Sequence, residues 1–176
     1  MSSVLELTIA SPSEPWGAIG LRVVDGVSWV GGIRLRFVPV GGAPAIVGWT
    51  LAGVPERATR PAEIDGLPTV YEDGEVATES WEHDLGATSF DHVVVITSLL
   101  ERTCGAIEAA TGAPLKRIRE AGAIRQGFHR LGSMIVEVVE SAQVTAPTAS
   151  FWGFVLIVED LHEVGGKLGP DVISMP

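Results

Sequence analysis

The amino-acid sequence predicts an α+β fold built from a repeated module of one strand, one helix and three further strands. An internal repeat is the main evidence: "VLELTIASPSEPW" (4–16) aligns with "DHVVVITSLLERT" (91–103) at an offset of 87 residues. A second match, "VGGIRLRFVPV" (30–40) with "LGSMIVEVVES" (131–141), has an offset of 101 residues because the second copy has the longer helix. Recurring segments of this kind indicate two related structural units, each a βαβββ module.

The second copy is the more regular of the two. Apolar patterns and turn residues predict its strands at 91–97, 114–120, 124–131 and 134–140 and its helix at 99–111. Gly112 is placed to end this helix as a C-cap. Ser98 and Glu101 have the Ser-x-x-Glu spacing of a capping box, in which the two side chains bind free backbone amides at a helix start. Cys104 falls on the apolar stripe of the helix, so we expect a buried structural thiol.

The first copy is degenerate. We expect its strands at 4–10, 20–24, 27–31 and 33–39 and a short helix at 12–18. Pro12 and Pro15 limit this helix to a turn or two. Ser11 and Glu14 repeat the capping-box spacing of the second copy.

A weaker strand pattern follows each copy, at 48–54 and 153–159, and the later one continues into a short helix. The acidic, Pro- and Gly-spaced segment between the copies predicts a loop or linker. The predicted organisation is therefore a degenerate module with an extra strand (1–52), an acidic linker (53–89), and a second module followed by the start of a further strand–helix unit (90–176). The sequence leaves open whether the natural chain extends beyond Pro176.

The charge distribution bears on the partners of the protein. The net charge is −10, and residues 53–91 hold ten acidic residues against two arginines. Nucleic acid is excluded as a partner, because binding it requires a basic face that replaces counterions. The single cysteine leaves no internal disulfide and no thiolate metal cluster. Without a signal-peptide pattern or an apolar run of membrane-span length, we expect a cytoplasmic protein that does not bind membranes.

The doubled βαβββ pattern, with "DHVVVIT" as a leading strand and "IVEVVE" as a fourth strand, resembles the vicinal oxygen chelate superfamily. This superfamily includes glyoxalase I, the bleomycin-resistance proteins and the extradiol dioxygenases. The resemblance is clearest over residues 90–160 and weaker over 4–52, and it is nearest to glyoxalase-like bacterial proteins of unassigned function. It implies paired modules that form curved mixed sheets around a cleft for a small molecule.

The resemblance also implies a divalent metal (Fe, Mn, Ni or Zn), held by a histidine near the start of a first strand and a glutamate on a fourth strand. His92 and Glu137 occupy these positions and are the candidate metal ligands and catalytic residues. Imidazole and carboxylate suit such metals, which act as Lewis acids on bound oxygens. His129 is a third candidate ligand if it faces the cleft, although strand alternation turns either His129 or Phe128 inwards.

Two functions remain open at this point. The first is a metal-dependent lyase, isomerase or dioxygenase acting on a substrate with vicinal oxygens. The alternative is a metal-free protein of the bleomycin-resistance type, which binds and sequesters a ligand. The matching positions of the other copies favour the alternative, because Leu5, Trp49 and Phe154 stand at the histidine position and Arg36 stands at the glutamate position. Without a metal, His92 and Glu137 would act as an acid and a base on a polar ligand.

Aromatic and basic residues are candidates for the walls of the cleft. The predicted pocket residues are Trp49, Phe128, Trp152, Phe154 and Arg36. A basic cluster on neighbouring strands either receives an anionic ligand or forms a solvated face; its members are Lys116, Arg117, Arg119, Arg125 and Arg130. The last strand pattern lacks further strands to pair with, which predicts a homodimer through exchange or pairing of strands.

Overall fold

In the computed structural model, which describes residues 1–39, 41–56, 58–73 and 78–169, the chain forms two mixed β-sheets. Sheet 1 contains β1 (Ser3–Ala10), β2 (Val27–Val30), β3 (Ile33–Val38), β4 (Ala45–Ala52), β5 (Glu63–Ile64) and β6 (Leu67–Glu72), in the order β2-β3-β1-β4-β6-β5. Sheet 2 contains β7 (Ala87–Thr97), β8 (Arg117–Ala121), β9 (Ile124–Leu131), β10 (Met134–Glu140) and β11 (Ser150–Val158), in the order β11-β7-β10-β9-β8. The helices are α1 (Glu14–Ala18), α2 (Leu100–Thr111) and α3 (Leu161–Leu168). None of the helices among these residues is long and apolar enough to cross a membrane.

The second module has the predicted βαβββ order, β7-α2-β8-β9-β10. Its first and fourth strands, β7 and β10, are parallel neighbours, and β9 pairs antiparallel with both β10 and β8. Gly112 ends α2 with a φ of 70°, and its N–H donates to the Glu108 carbonyl over 2.7 Å. The predicted glycine C-cap is confirmed, because this left-handed conformation costs glycine little.

The first module differs from the prediction at residues 20–24, which form no strand. Val24 makes only an isolated bridge to Val27. Gly20 has a φ of 96°, and its carbonyl accepts a hydrogen bond from the N–H of Leu85 over 2.9 Å. Leu21 is buried in the core. The apolar segment therefore packs as a loop, and its backbone anchors the chain segment before β7 instead of adding a strand to sheet 1.

The predicted linker over residues 53–89 is also wrong in part, because β5 and β6 lie in it. Asp65 and Gly66 form the turn between these strands, both with positive φ. Ile64 and Leu67 flank the turn and are at most 1 % exposed. β6 pairs parallel with β4 and so extends sheet 1. The acidic composition of the segment outweighed the signal of a short apolar hairpin in the prediction. Residues 74–77 of the predicted linker lie outside the described residues.

The predicted capping boxes do not form. At α2 the N–H of Leu100 donates to the Glu140 carboxylate over 2.6 Å, so the capping group comes from the end of β10. Ser98 instead donates to the carbonyl of Ala146, and Glu101 pairs with Arg125 over 2.6 Å. At α1 the N-cap residue is Ser13, and its side chain makes no capping hydrogen bond.

The two predicted extra strands occupy equivalent places in the two sheets. β4 pairs antiparallel with β1, the first strand of the first module. β11 pairs antiparallel with β7, the first strand of the second module, and continues into α3. Asp160 caps α3, because its carboxylate accepts from the N–H groups of His162 and Glu163. β11 is an edge strand of sheet 2 with Val155 and Ile157 more than 40 % exposed, and its pairing with a second copy of the chain stays a prediction.

One face of sheet 2 packs against α2. Val93, Val95, Val136 and Val138 contribute this face and are fully buried. Leu100, Cys104 and Ile107 contribute the facing stripe of α2 and belong to the same core cluster. The predicted burial of Cys104 is confirmed at 2 % exposure, and burial raises the pKa of its thiol to about 11. The thiol is therefore protonated at neutral pH and makes a poor nucleophile.

We expect the contact between the β5–β6 turn and α2 to stabilise the fold. The Asp65 side chain is 7 % exposed and accepts from Arg102 Nε over 2.8 Å and Thr103 Oγ1 over 2.5 Å. Neutralising it in Asp65→Asn removes a charged acceptor from Arg102 and from the buried Thr103, which should lower the free energy of unfolding by about 1–3 kcal/mol. Asp73→Asn is the matched control, because Asp73 is 91 % exposed and its pair with Arg60 should contribute less than about 0.5 kcal/mol. Urea denaturation measures both, and equal effects would contradict the assignment.

Candidate functional site

The second face of sheet 2 carries His92 and Glu137, the two candidate catalytic residues. Side chains alternate between the two faces of a strand, so the residues that do not face α2 share this surface. In the β7–β10 register Ile135 lies beside His92 and Glu137 lies beside Val94, and in the β9–β10 register Phe128 lies opposite Glu137. We call this surface the open face of sheet 2; it comprises His92, Val94, Gln126, Phe128, Ile135, Glu137 and Val139.

The structure brings His92 and Glu137 together. His92 Nε2 lies 3.2 Å from Glu137 Oε2, and His92 Nδ1 lies 2.6 Å from Asp91 Oδ2. The other carboxylate oxygen of Glu137 accepts a hydrogen bond from Gln126 Nε2. The side chains of His92 and Glu137 are 23 % and 12 % exposed. Asp91, His92, Gln126 and Glu137 therefore form one connected group, the His92 cluster, at a partly accessible position.

The His92 cluster places an imidazole nitrogen beside a carboxylate oxygen. With Nδ1 directed at Asp91, the Nε2 atom of His92 lies on the side of Glu137, 3.2 Å from Oε2. Gln126 holds the Glu137 carboxylate in place from its other side. A ligand hydroxyl or carbonyl that reaches this point can donate to Glu137 or accept from His92. The cluster thus places two polar groups where one polar group of a ligand can contact both.

A groove of about 270 Å³ adjoins the His92 cluster on the outer strands of sheet 2. It is lined by Lys116, Arg117, Phe128, His129, Arg130 and Ile135. Phe128 and Ile135 are the register neighbours of Glu137 and His92, so two lining residues of the groove adjoin the cluster, although none of the four cluster residues lines the groove itself. The Arg117 guanidinium stacks on the Phe128 ring, 4.9 Å from its centroid. The groove therefore combines an apolar floor with a cationic rim.

The donors present do not complete a metal site. Across the described parts of the chain, no group of three or more His, Cys, Asp and Glu side chains is placed to hold a metal ion. His92 and Glu137 contribute two donors. Catalytic metal sites in proteins generally use three protein ligands and leave a position for substrate. The two donors on this face therefore do not fit a resident metal.

His129, the third candidate ligand, lies on the opposite face of sheet 2 from Glu137. It pairs with Val136 in the β9–β10 register and is 1 % exposed. Its Nδ1 lies 3.0 Å from the Ala113 carbonyl, and its Nε2 has no hydrogen-bond partner among the described residues. Burial lowers its pKa. The strand alternation thus places Phe128 on the open face and His129 in the core, where the neutral imidazole acts as a packing residue with one backbone contact.

The five predicted pocket residues occupy different places. Phe128 alone adjoins the His92 cluster. Trp49 is buried in the core, where its Nε1 donates to Thr69 Oγ1 over 2.7 Å. Trp152 and Phe154 line a second groove of about 280 Å³, in which Phe154 stacks on Trp16. Arg36 lies on sheet 1 and pairs with Glu6.

Two members of the His92 cluster were not singled out from the sequence. Asp91 precedes His92 directly, and a carboxylate next to a candidate histidine is the usual partner for its second nitrogen. Gln126 is two residues before Phe128 on β9 and therefore shares its face. The β9–β10 hairpin brings Gln126 opposite Val139, two residues from Glu137. The strand pattern places Gln126 on the face of Phe128, but its closeness to Glu137 can be inferred only once the hairpin register is known.

The fold is shared with several solved structures at low sequence identity. A variant of 4-hydroxymandelate synthase from Streptomyces coelicolor is 13 % identical with a TM-score of 0.61, and the match covers 94 % of this chain and 75 % of that one. A halotolerant catechol dioxygenase is 14 % identical with a TM-score of 0.61, and the match covers 94 % and 73 % of the two chains. A fusion of a xylose isomerase-like TIM barrel with 4-hydroxyphenylpyruvate dioxygenase is 10 % identical with a TM-score of 0.57, over 94 % and 38 %.

No protein-family model matches the chain, and no curated protein matches it. The similar structures have the vicinal oxygen chelate fold, so the predicted α+β fold of paired modules is confirmed. At 10–14 % identity the likeness concerns the fold and carries no information on the reaction.

The burial of His129 should make stability fall in mild acid. Its pKa is lowered in the folded state from the ordinary value of 6.5, so the unfolded chain takes up a proton first as the pH falls below about 6.5. Up to about 1.4 kcal/mol of stability per pH unit is lost in the interval between the two pKa values. His129→Asn, which keeps a donor near the Ala113 carbonyl, should flatten this part of the pH profile.

His162→Asn is the control, because His162 is an exposed residue of α3. Urea denaturation of the three proteins between pH 7.5 and pH 5 measures the slopes. The same slope in the wild type and in His129→Asn would show that His129 titrates alike in the folded and unfolded states.

Proposed function

We propose that the protein binds a small anionic molecule in the groove on sheet 2, with the His92 cluster recognising a hydroxyl group next to the anionic group. The observation that carries this proposal is that Ile135 and Phe128, which line the groove, are the register neighbours of His92 and Glu137. An apolar floor, a few placed polar groups and a charged anchor are what small-ligand sites usually combine.

The charge of the groove supports an anionic ligand. Lys116, Arg117 and Arg130 line it, whereas the whole chain has a net charge of −10. A local cationic rim on an acidic protein attracts anions to this place and repels them elsewhere. Arg117 is held against Phe128, so one guanidinium is already positioned beside the apolar floor. Guanidinium groups bind carboxylates through paired hydrogen bonds.

The His92 cluster supports a polar group close to the carboxylate of the ligand. His92 and Glu137 offer a donor and an acceptor 3.2 Å apart, so a single ligand oxygen can contact both. A hydroxyl on the carbon next to the carboxylate meets this requirement, because it can donate to Glu137 and accept from an Nε2–H of His92, whereas a carbonyl there can only accept from His92. The ligand class is therefore a small 2-hydroxy acid with an apolar side chain.

Binding without a resident metal is the function that this donor set supports best. The alternative implied by the resemblance is a metal-dependent lyase, isomerase or dioxygenase, and it requires ligands that His92 and Glu137 do not complete. Glu137 and His92 can still exchange a proton with the bound acid, so any turnover at this site would be a proton transfer at the atom next to the ligand oxygen.

Calorimetric titration with phenyllactate and hydrocinnamate, which differ only in the 2-hydroxyl group, tests the proposal. The wild type should bind phenyllactate about tenfold more tightly, because the hydroxyl pairs with the His92 cluster. In Glu137→Gln the two affinities should become nearly equal. Phe128→Ala should lower the affinity for both ligands, since it removes the apolar floor of the groove.

Glu120→Gln is the matched control, because Glu120 is an exposed carboxylate at the edge of the same sheet. It should preserve the preference for phenyllactate. Absence of saturable binding, or an unchanged preference in Glu137→Gln, would refute the assignment of the site.

A further inference from the structure

Sheet 1 has an open face of its own, with a charged cluster that the sheet 2 site does not use. Register neighbours share a face, and Glu6 lies beside Arg34 while Thr8 lies beside Arg36 in the β1–β3 pairing. In the β2–β3 pairing Trp29 lies opposite Arg34. The alternate residues of the same strands, such as Leu7 and Leu35, are fully buried in the core. We call Glu6, Thr8, Trp29, Arg34 and Arg36 the Glu6 cluster.

Glu6 holds both arginines through their Nε atoms. It is a buried carboxylate, with a side chain 6 % exposed. Arg34 donates to it through Nε, and Arg36 donates through Nε to both carboxylate oxygens over 3.0 and 3.1 Å. Thr8 Oγ1 donates to Glu6 over 3.3 Å. Both oxygens of Glu6 are therefore occupied, and the two guanidinium groups are held side by side.

The outward edges of the two guanidinium groups remain available. Among the described residues, Arg34 and Arg36 make their hydrogen bonds through Nε, and none is made by an Nη atom. The side chains are 27 % and 42 % exposed, so these atoms can reach a ligand. Arg34 is also held on the face of Trp29, 5.5 Å from the ring centroid. The indole N–H of Trp29 likewise has no acceptor in the described part of the chain.

The Glu6 cluster has a net charge of +1, because two arginines share one carboxylate. Two guanidinium groups that are fixed in place and offer free N–H groups match the oxygens of a carboxylate or phosphate. Since Glu6 already restricts both side chains, an anion binds with a smaller loss of side-chain freedom than on two free surface arginines.

We propose that the Glu6 cluster is an oxyanion-binding site, which accepts a carboxylate or phosphate group between the Nη atoms of Arg34 and Arg36. It shares no residue with the groove on sheet 2. Substitutions at one site therefore test it without altering the other, and the failure of one proposal leaves the other standing.

The indole resonance of Trp29 provides a local reporter for this site. Spectra of ¹⁵N-labelled protein in low-chloride buffer would be recorded during separate titrations with inorganic phosphate and acetate, with Trp29→Phe assigning the peak. The Trp29 peak should shift saturably with at least one anion, and more than the peaks of the other tryptophans. Saturation with phosphate alone assigns a phosphate ligand, and saturation with acetate alone or with both assigns a carboxylate or a general oxyanion site.

Arg36→Gln should weaken the affinity for the anion about tenfold, because a charged pair of hydrogen bonds is lost. Arg119→Gln is the matched control, since it removes the same charge from an exposed position on β8 and should leave the affinity unchanged. If Arg36→Gln fails to fold, Arg36→Lys keeps the charge but removes the planar fork, and it should also weaken binding.

Three results would overturn the proposal. The first is a Trp29 peak that does not shift, or shifts linearly, with both anions in the wild type. The second is an equal loss of affinity in Arg36→Gln and Arg119→Gln, which would indicate a general charge effect. The third is an unchanged affinity in Arg36→Lys, which would show that the fixed guanidinium pair is not the binding element.

Discussion

The parallel pairing of β7 with β10 determines the rest of the candidate site. One face of this pair consists of valines that α2 covers. An uncompensated charge buried there would cost on the order of several kcal/mol. His92 and Glu137 therefore emerge on the other face, where the register places them on adjacent strands within 3.2 Å of each other. Successive side chains of a strand point to opposite faces of the sheet. The residues between the buried valines therefore lie on the other face, which carries the polar groups.

Partly buried charges in this protein are held by specific partners. Glu137 contacts His92 and Gln126, Glu6 contacts two arginines, and Asp65 contacts Arg102 and Thr103. The three carboxylates differ in what remains free around them. Asp65 joins two elements of the fold, and its partner Arg102 also donates through Nη2 to Thr97, whereas the Nη atoms of the two arginines on Glu6 make no hydrogen bond among the described residues. This difference separates a structural contact from a candidate binding site.

The sequence predicted the second module well, since its strands and helix have strong periodicity. The pair His92–Glu137 was implied by the resemblance to the vicinal oxygen chelate superfamily and not by the strand pattern alone. The prediction failed where long-range contacts decide the structure. Glu140 caps α2 from another strand, so the local serine–glutamate spacing had no effect. Leu21 belongs to a loop that packs in the core, and Ile64 with Leu67 makes a hairpin within an acidic segment. His129 lies in the core and Phe128 on the open face, because the register follows the whole strand and not one residue.

The central claim is that side chains of sheet 2, without a resident metal, form the recognition site. Elemental analysis of protein purified without chelators tests it most directly, with a second sample incubated with Fe²⁺, Mn²⁺, Ni²⁺ and Zn²⁺ and then desalted. We predict metal contents far below one ion per chain in both samples, because His92 and Glu137 supply only two donors. About one ion per chain in the wild type, lost in both His92→Ala and Glu137→Ala, would contradict the account and establish a metal site at this pair.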